Sequence, residues 1–221
     1  MNLPFDSPQF FAVFARYNLA VWPAQVVLNG LAIALVMVVL RAWSDRAVSG
    51  VLALLWVWMG VVYHLGFFRT INPAASIFGA MFVLQGVVFA VLGVAGGKLR
   101  FVFPAGARGM IGGLLLVFAL VAYPLLAYLA GHRYPAVATF GLPCPTTIFT
   151  LGLLLWAAPP VPRALLLIPL AWSAVGASAA LQLGVREDRG LVAAGLVSGL
   201  LMLVPVWGGG GPTLAERRSL G

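Results

Sequence analysis

Long apolar runs separated by short polar breaks make up most of the chain. Seven runs reach or approach the length of a membrane-spanning helix: Pro23–Leu40, Ala47–Phe68, Ala74–Val94, Met110–Ala130, Thr146–Ala158, Leu165–Leu183 and Leu191–Val206. A bilayer core about 30 Å thick is crossed by roughly 20 residues of helix. The apolar residues do not alternate with the two-residue period of a barrel strand. The pattern therefore predicts an all-α, polytopic transmembrane helix bundle of about seven spanning segments.

The fifth run is shorter than the others. Thr146–Ala158 has thirteen residues before Pro159 and Pro160, and it follows a stretch rich in Gly and Pro that begins at Gly131. Broken or shortened helices are tolerated in membranes where they line a cavity. Six spans plus a re-entrant or half helix is therefore the alternative to seven full spans.

The polar breaks are short, so residues 1–221 are predicted to form a single integral membrane domain. Residues 1–21 precede the first run and are predicted to form an outer interfacial helix, because Asp6-Ser7-Pro8 is typical of a helix start. The alternative is that they are only the first turns of the first spanning helix. Nothing in this segment predicts a cleavable signal peptide. Residues 208–221, which begin with glycines, are predicted to be a flexible cytoplasmic tail.

Composition and charge agree with a membrane protein and suggest its orientation. Hydrophobic residues make up 62% of the chain, charged residues make up 8%, and the net charge is +8. With seven spans, one side carries Arg41, Arg46, Lys98, Arg100, Arg108, Arg163, Arg217 and Arg218, and the other carries Arg16, Arg69, Arg133, Arg186 and Arg189. The more basic side faces the cytoplasm. This predicts an outer N-terminus and a cytoplasmic C-terminus, with the lipid bilayer as partner. No basic run predicts nucleic-acid binding.

Several kinds of chemistry are missing from the sequence. All five acidic residues lie in predicted loops or tails, and so does the single lysine, Lys98. A carboxylate proton relay or cation site inside the bundle is therefore not expected. No nucleophile elbow, zinc-binding helix or pair of catalytic carboxylates is present. The protein is not predicted to be an enzyme, and no cofactor is assigned.

Polar residues and prolines concentrate on the side predicted to be outside. Asn72-Pro73 and Cys144-Pro145 each resemble a helix cap followed by proline at the first helical position. Such helix starts carry free N–H donors and a partial positive charge. The candidate ligand-binding residues are His64, Arg69, Asn72, His132, Arg133, Cys144, Thr146 and Thr147. They predict a small permease- or channel-like protein that binds an anionic or polar solute in an outward-facing pocket. The alternative is that these prolines only start helices.

A polar stripe runs along the first helix. Asn18, Gln25 and Asn29 share one helical face and should point towards neighbouring helices instead of lipid. The stripe either lines the bundle interior or forms interhelical hydrogen bonds.

Two further functions stay open. A non-transporting membrane scaffold or assembly partner is one, because Gly195 and Gly199 have the spacing typical of close helix packing or of a homodimer. A haem- or soft-metal-binding protein is the other, with His64, His132 and Cys144 as ligands, although no short-range ligand spacing supports a metal.

Three blocks of the sequence carry a resemblance. They are Y-N-x4-W-P-x-Q from Tyr17, Y-H-x2-F-F-x2-I-N-P-A-A from Tyr63, and P-C-P-T-T-I-F-T from Pro143. The chain resembles a family of bacterial multi-pass membrane proteins defined by a domain of unknown function, from about Phe10 to Trp207. The resemblance implies a bacterial inner-membrane location. It implies no activity, substrate or catalytic residue.

Overall fold

The computed structural model describes residues 3–185 and 187–203, and within them the chain is helical with no strand. The described residues form eight helices: α1 Ser7–Ala20, α2 Ala24–Leu40, α3 Asp45–Thr70, α4 Ala75–Ala95, α5 Ala107–Leu129, α6 Pro143–Leu155, α7 Ala164–Leu183 and α8 Arg189–Leu203. Each predicted apolar run overlaps one of the helices α2–α8. The predicted tail, residues 208–221, lies outside the described residues.

Three helices, α3, α4 and α5, are each long and apolar enough to cross a membrane. The bent pair of α1 and α2 would add a fourth span if the two were counted together, and α6, α7 and α8 supply shorter apolar stretches. The helical fold class is thus confirmed. The seven-span bundle stays a prediction.

The N-terminal segment forms a helix of its own. The axis of α1 meets that of α2 at 87°, so α1 is not the first turn of the spanning helix. Asp6 caps α1 by accepting a hydrogen bond from Gln9 N at 2.8 Å, and the Gln9 side chain accepts one from Asp6 N at 3.0 Å. This reciprocal cap fixes where the helix begins. The predicted position of α1 on a membrane surface stays a prediction.

The three blocks rich in polar residues meet at one end of the bundle, which we call the α1 end. Arg16 donates to Thr70 Oγ1 at 2.8 Å, and Asn18 donates to Pro135 O at 2.6 Å. The rings of Tyr17 and Tyr63 lie 5.6 Å apart. These contacts join α1, the C-terminal part of α3 and the loop of residues 131–142. The outer location predicted for the three blocks stays a prediction.

Helix α6 lies inside the bundle and connects its two ends. Twelve of its thirteen residues are buried. Just beyond its C-terminus, Val102 N donates to Trp156 O at 2.8 Å, and Ala158 N donates to Arg100 O at 2.7 Å. These bonds lie at the end of the bundle where α4 leads into α5, opposite the α1 end. Although α6 is only about 20 Å long, it traverses the bundle and does not turn back.

Two predicted helix caps are wrong by a few residues. Asn72 does not cap α4 directly, because that helix begins at Ala75 and the Asn72 side chain accepts from Ala74 N within the preceding turn. Cys144 does not cap α6, because that helix begins at Pro143 with Leu142 as its cap. Proline is tolerated throughout the first turn because N–H groups there have no partner in the helix. Cys144 therefore lies within the first turn of α6.

Glycines let neighbouring helices pack closely. A Cβ atom at Gly112 of α5 would come within 2.9 Å of the carbonyl oxygen of Gly152 in α6. A Cβ atom at Gly195 of α8 would come within 2.5 Å of the Ser173 Cβ in α7. Gly195 thus serves packing within the chain, and at Gly199 an added Cβ would meet only ordinary contacts with Leu170. A homodimer through Gly195 and Gly199 stays a prediction.

Candidate functional site

A cavity of about 110 Å³ lies at the α1 end, beneath α1 and between α3, α6 and α7. Aromatic side chains form much of its wall: Phe5, Phe10, Phe14, Tyr63, Phe68, Phe78 and Trp172. The buried face of the amphipathic helix α1 supplies two of these rings. Because α1 bends away from α2, it covers the cavity instead of extending the bundle.

The geometry of α3 changes beside the cavity. Residues Met59–Phe67 adopt a π-helical conformation, which has a wider turn and is frequent at functional sites. Tyr63 lines the cavity. His64 instead contacts Phe82 and Trp172, with ring centroids at 4.6 and 5.2 Å.

Few polar side chains reach the cavity wall. Asn72, Cys144, Ser178 and Asp188 do so, together with the Tyr63 and Trp172 rings. Among the described residues that line the cavity, Asp188 is the charged one, and none is Arg, Lys or His. Trp172 Nε1 is buried without a hydrogen-bond partner among the described residues. The cavity therefore combines mostly apolar walls with one carboxylate and a few uncharged polar groups.

Asp188 belongs to a pair of buried carboxylates between α7 and α8. Its side chain accepts a hydrogen bond from the Tyr123 hydroxyl at 2.5 Å, and the neighbouring Glu187 contacts His132 Nδ1 at 2.7 Å. Asp188 is 4% exposed and Glu187 is 2% exposed. The second oxygen of Glu187 has no partner within the described part of the chain. Of the two adjacent acids, Glu187 thus contacts a histidine and Asp188 contacts a tyrosine hydroxyl.

The environment favours the protonated form of Asp188. Burial raises the pKa of Asp188 from 3.8 to about 6, and the adjacent Glu187 carboxylate adds to the rise. Hydrogen bonds from Tyr123 and Cys144, and the charge of His132, lower the same pKa. Burial has the largest effect because a low-dielectric surrounding disfavours the charged form.

The two candidate arginines lie outside the cavity wall. Arg69 is exposed in the last turn of α3. Arg133 is also exposed, and its guanidinium lies 3.6 Å from the Tyr128 ring centroid and donates to the Tyr128 carbonyl. Solvent screens exposed charges, so neither arginine provides a strong positive potential in the cavity.

The remaining candidates have different surroundings. Asn72 and Cys144 line the cavity, and His132 reaches the acidic pair. Thr146 is buried, and its hydroxyl accepts a hydrogen bond from Gly141 N at 3.0 Å. The φ of Gly141 is +97°, a value that favours glycine. Thr147 is buried with no partner for its hydroxyl among the described residues. Ligand binding by these side chains stays a prediction.

The proposed haem or metal ligands are also dispersed. His64 is fully buried, and neither ring nitrogen has a hydrogen-bond partner in the described part of the chain. His132 is engaged with Glu187 and stacks near Phe11. Across residues 3–185 and 187–203, no group of three or more His, Cys, Asp or Glu could hold a metal ion.

The polar stripe forms a hydrogen-bonded network. Asn18 Nδ2 donates to the carbonyls of Pro135 and Val137, while its Oδ1 accepts from Gln25 and Thr139. Asn29 instead donates to Gln25 O one turn earlier in α2. Asn18 lies in α1 whereas Gln25 and Asn29 lie in α2, so the prediction of a stripe along a single helix is wrong. Asn18 and Gln25 instead tie α1 and α2 to the loop of residues 131–142.

Sequence reasoning missed Tyr123, Glu187 and Asp188. The sequence places the two acids in a loop between apolar runs, and Tyr123 lies inside an apolar run. Only the packing of this segment against α5 and α6 buries the carboxylates. The charged segment itself was visible in the sequence, but its burial was not.

Fold and cavity together define an all-α protein that has helices apolar enough to cross a membrane and an aromatic cavity at one end. Over residues 7–207 the chain matches a family of unknown function (DUF6064), and it belongs to that family. No curated protein and no solved structure matches the chain. Membership in this family implies no activity, so the function is inferred from the site.

Proposed function

We propose that this protein is a small permease- or channel-like membrane protein that binds a polar solute in the aromatic cavity at the α1 end. Ligand sites are typically concave, mostly apolar and supplied with a few polar groups that orient the ligand. The observation that carries the proposal is the buried carboxylate of Asp188 in an otherwise apolar wall. A charge is costly to bury without a partner, and a bound solute would provide one.

The outer surface supports a membrane location. Helix α5 exposes large apolar side chains along its length, namely Met110, Leu114, Val117, Val121 and Leu125, each more than half exposed. They recur every three to four residues and so form one continuous stripe. Contiguous apolar surface of this kind is rare on soluble monomers. Lipid is its natural surrounding, and we propose the bacterial inner membrane, with the N-terminus outside.

Between an anionic and a polar solute, the charges favour a solute without negative charge. Asp188 faces the cavity while Arg69 and Arg133 lie outside its wall. A second negative charge beside Asp188 would be repelled in a low-dielectric surrounding. The helix starts of α4 and α6 offer only partial positive charges.

Thermal unfolding in detergent tests the proposal. Purified protein is heated with small cationic, neutral and anionic solutes, and a solute present at 100 times its Kd should stabilise the fold by about 2.7 kcal/mol. Ala179→Phe should remove the effect, because Ala179 lines the cavity. Ala171→Phe is the matched control, since Ala171 is exposed on the same helix. Absence of any solute effect on the wild type would contradict the proposal.

A non-transporting membrane scaffold is the alternative. The stabilising solute should cross the bilayer of proteoliposomes that contain the wild type, and Ala179→Phe should slow this flux. Solute binding without flux would favour a solute-regulated scaffold over a permease.

A further inference from the structure

We infer that the solute is a small organic cation, an ammonium ion surrounded by the aromatic side chains of the cavity and facing the carboxylate of Asp188. This inference rests on the proposed function, because it names the class of solute that the same cavity would bind. It differs from the anionic solute expected from the positions of the arginines in the sequence.

The aromatic wall is the first argument. Seven aromatic side chains surround a cavity of about 110 Å³. Their rings lie at mixed angles: Tyr63 and Phe68 are nearly parallel at 11°, whereas Trp172 and Phe78 cross at 74°. Such a wall presents ring faces as well as ring edges. Ring faces carry partial negative charge and attract ammonium ions, most strongly when water is excluded.

The balance of charge is the second argument. Asp188 and Glu187 are adjacent and buried, and His132 forms a salt bridge with Glu187 but none with Asp188 among the described residues. When both acids are ionised, the cluster carries excess negative charge even if the histidine is protonated. A cation in the cavity would offset this excess. An uncharged solute would not.

The acidity of Asp188 supports the same conclusion. Burial raises the pKa of Asp188 to about 6, so the carboxylate ionises as the pH rises through that value. The groups that face it are the Tyr63 hydroxyl of α3, the Tyr123 hydroxyl of α5, the Cys144 thiol of α6, the adjacent Glu187, and His132 through Glu187. Cation binding should therefore strengthen between about pH 5 and pH 7.

Three probes of nearly equal shape test the inference. They are choline, its uncharged isostere 3,3-dimethylbutan-1-ol, and the anion 3,3-dimethylbutanoate. At saturating concentration, choline should raise the Tm of the wild type by several degrees, roughly 5 °C. The alcohol should raise it less, the anion should not raise it, and the choline effect should decrease from pH 7 to pH 5.

Two variants probe the residues themselves. Asp188→Asn should abolish the preference for choline over the alcohol, whereas Asp6→Asn should keep it, because Asp6 caps α1 outside the cavity lining. Phe14→Leu keeps an apolar wall without a ring and should weaken choline binding about fivefold with little change for the alcohol. If Asp188→Asn does not fold, Phe14→Leu decides the question.

The outcomes separate the inference from the proposed function. Equal or greater stabilisation by the alcohol or the anion would overturn the cation inference while leaving a solute-binding cavity. The inference would also fail if Phe14→Leu weakened choline and the alcohol alike. No stabilisation by any probe, together with none by other small solutes, would overturn both.

Discussion

Buried polar side chains in this protein fall into two groups at the scale of single residues. Asn18 has hydrogen-bond partners for both its amide nitrogen and its oxygen. Glu187, His64 and Trp172 each keep at least one polar atom without a partner among the described residues. Satisfied groups stabilise a fold, whereas unsatisfied ones are costly. The first group therefore has a structural role, and the second includes the surroundings of the candidate site.

Asn18→Leu should strongly destabilise the fold. The change leaves the carbonyls of Pro135 and Val137 without the Asn18 amide as their donor, at about 1–3 kcal/mol for each group that stays unsatisfied. It also removes the Asn18 oxygen that accepts from Gln25. Asn29→Leu is the matched control, because it removes only a bond within α2. Thermal unfolding in detergent should show a much larger loss for the first variant. Equal losses would show that the network does not anchor the loop of residues 131–142.

At the level of secondary-structure elements, the main feature of the fold is the close contact between helices. Helix α6 is buried on nearly all sides, and its approach to α5 depends on glycines that face each other. A Cβ atom at Gly112 would meet the Trp156 ring at 2.6 Å and the Gly152 carbonyl at 2.9 Å. The indole is held in place because Trp156 Nε1 donates to Gly109 O at 2.9 Å. A methyl group therefore cannot be accommodated there without moving one of the helices.

Gly112→Ala should lower the free energy of unfolding by about 1–3 kcal/mol through overpacking. Gly113→Ala is its neighbour and control, since its Cβ would lie 3.6 Å from the Trp156 ring, an ordinary contact. Alanine is also the better helix former, so Gly113→Ala should be neutral or slightly stabilising. A similar loss of stability in both variants would contradict the α5–α6 contact.

The whole molecule is asymmetric from end to end. The α1 end carries the polar network, the aromatic cavity and the acidic pair. The opposite end carries backbone hydrogen bonds between the α4–α5 connection and the segment after α6. If the bundle spans a membrane, only one face of the bilayer has access to the cavity. The distribution of basic residues predicts that this is the outer face.

Two single-cysteine variants test this orientation. In a Cys144→Ser background, Arg69→Cys places a thiol at the α1 end, and Lys98→Cys places one at the opposite end, both at exposed positions. An impermeant maleimide added to intact spheroplasts should label the first variant. The second should be labelled only after permeabilisation. The reverse pattern would place the cavity on the cytoplasmic side.

The positions of the helices along the chain could be predicted from the sequence alone. Continuous apolar runs located α2–α8 to within a few residues, and Asp6-Ser7-Pro8 marked the start of α1. These features are local, because hydrophobic runs, caps and prolines act over one or two turns of chain.

Which charged side chain lines the cavity could be learned only from the tertiary structure. Arg69 and Asp188 are both charged residues next to helix ends, and nothing local shows that one is exposed and the other buried. The difference arises because α5 and α6 pack over residues 187–188, with the Tyr123 hydroxyl bonded to Asp188, while Arg69 at the end of α3 is exposed. Burial depends on contacts between residues far apart in sequence, and it is burial that sets the acidity of Asp188.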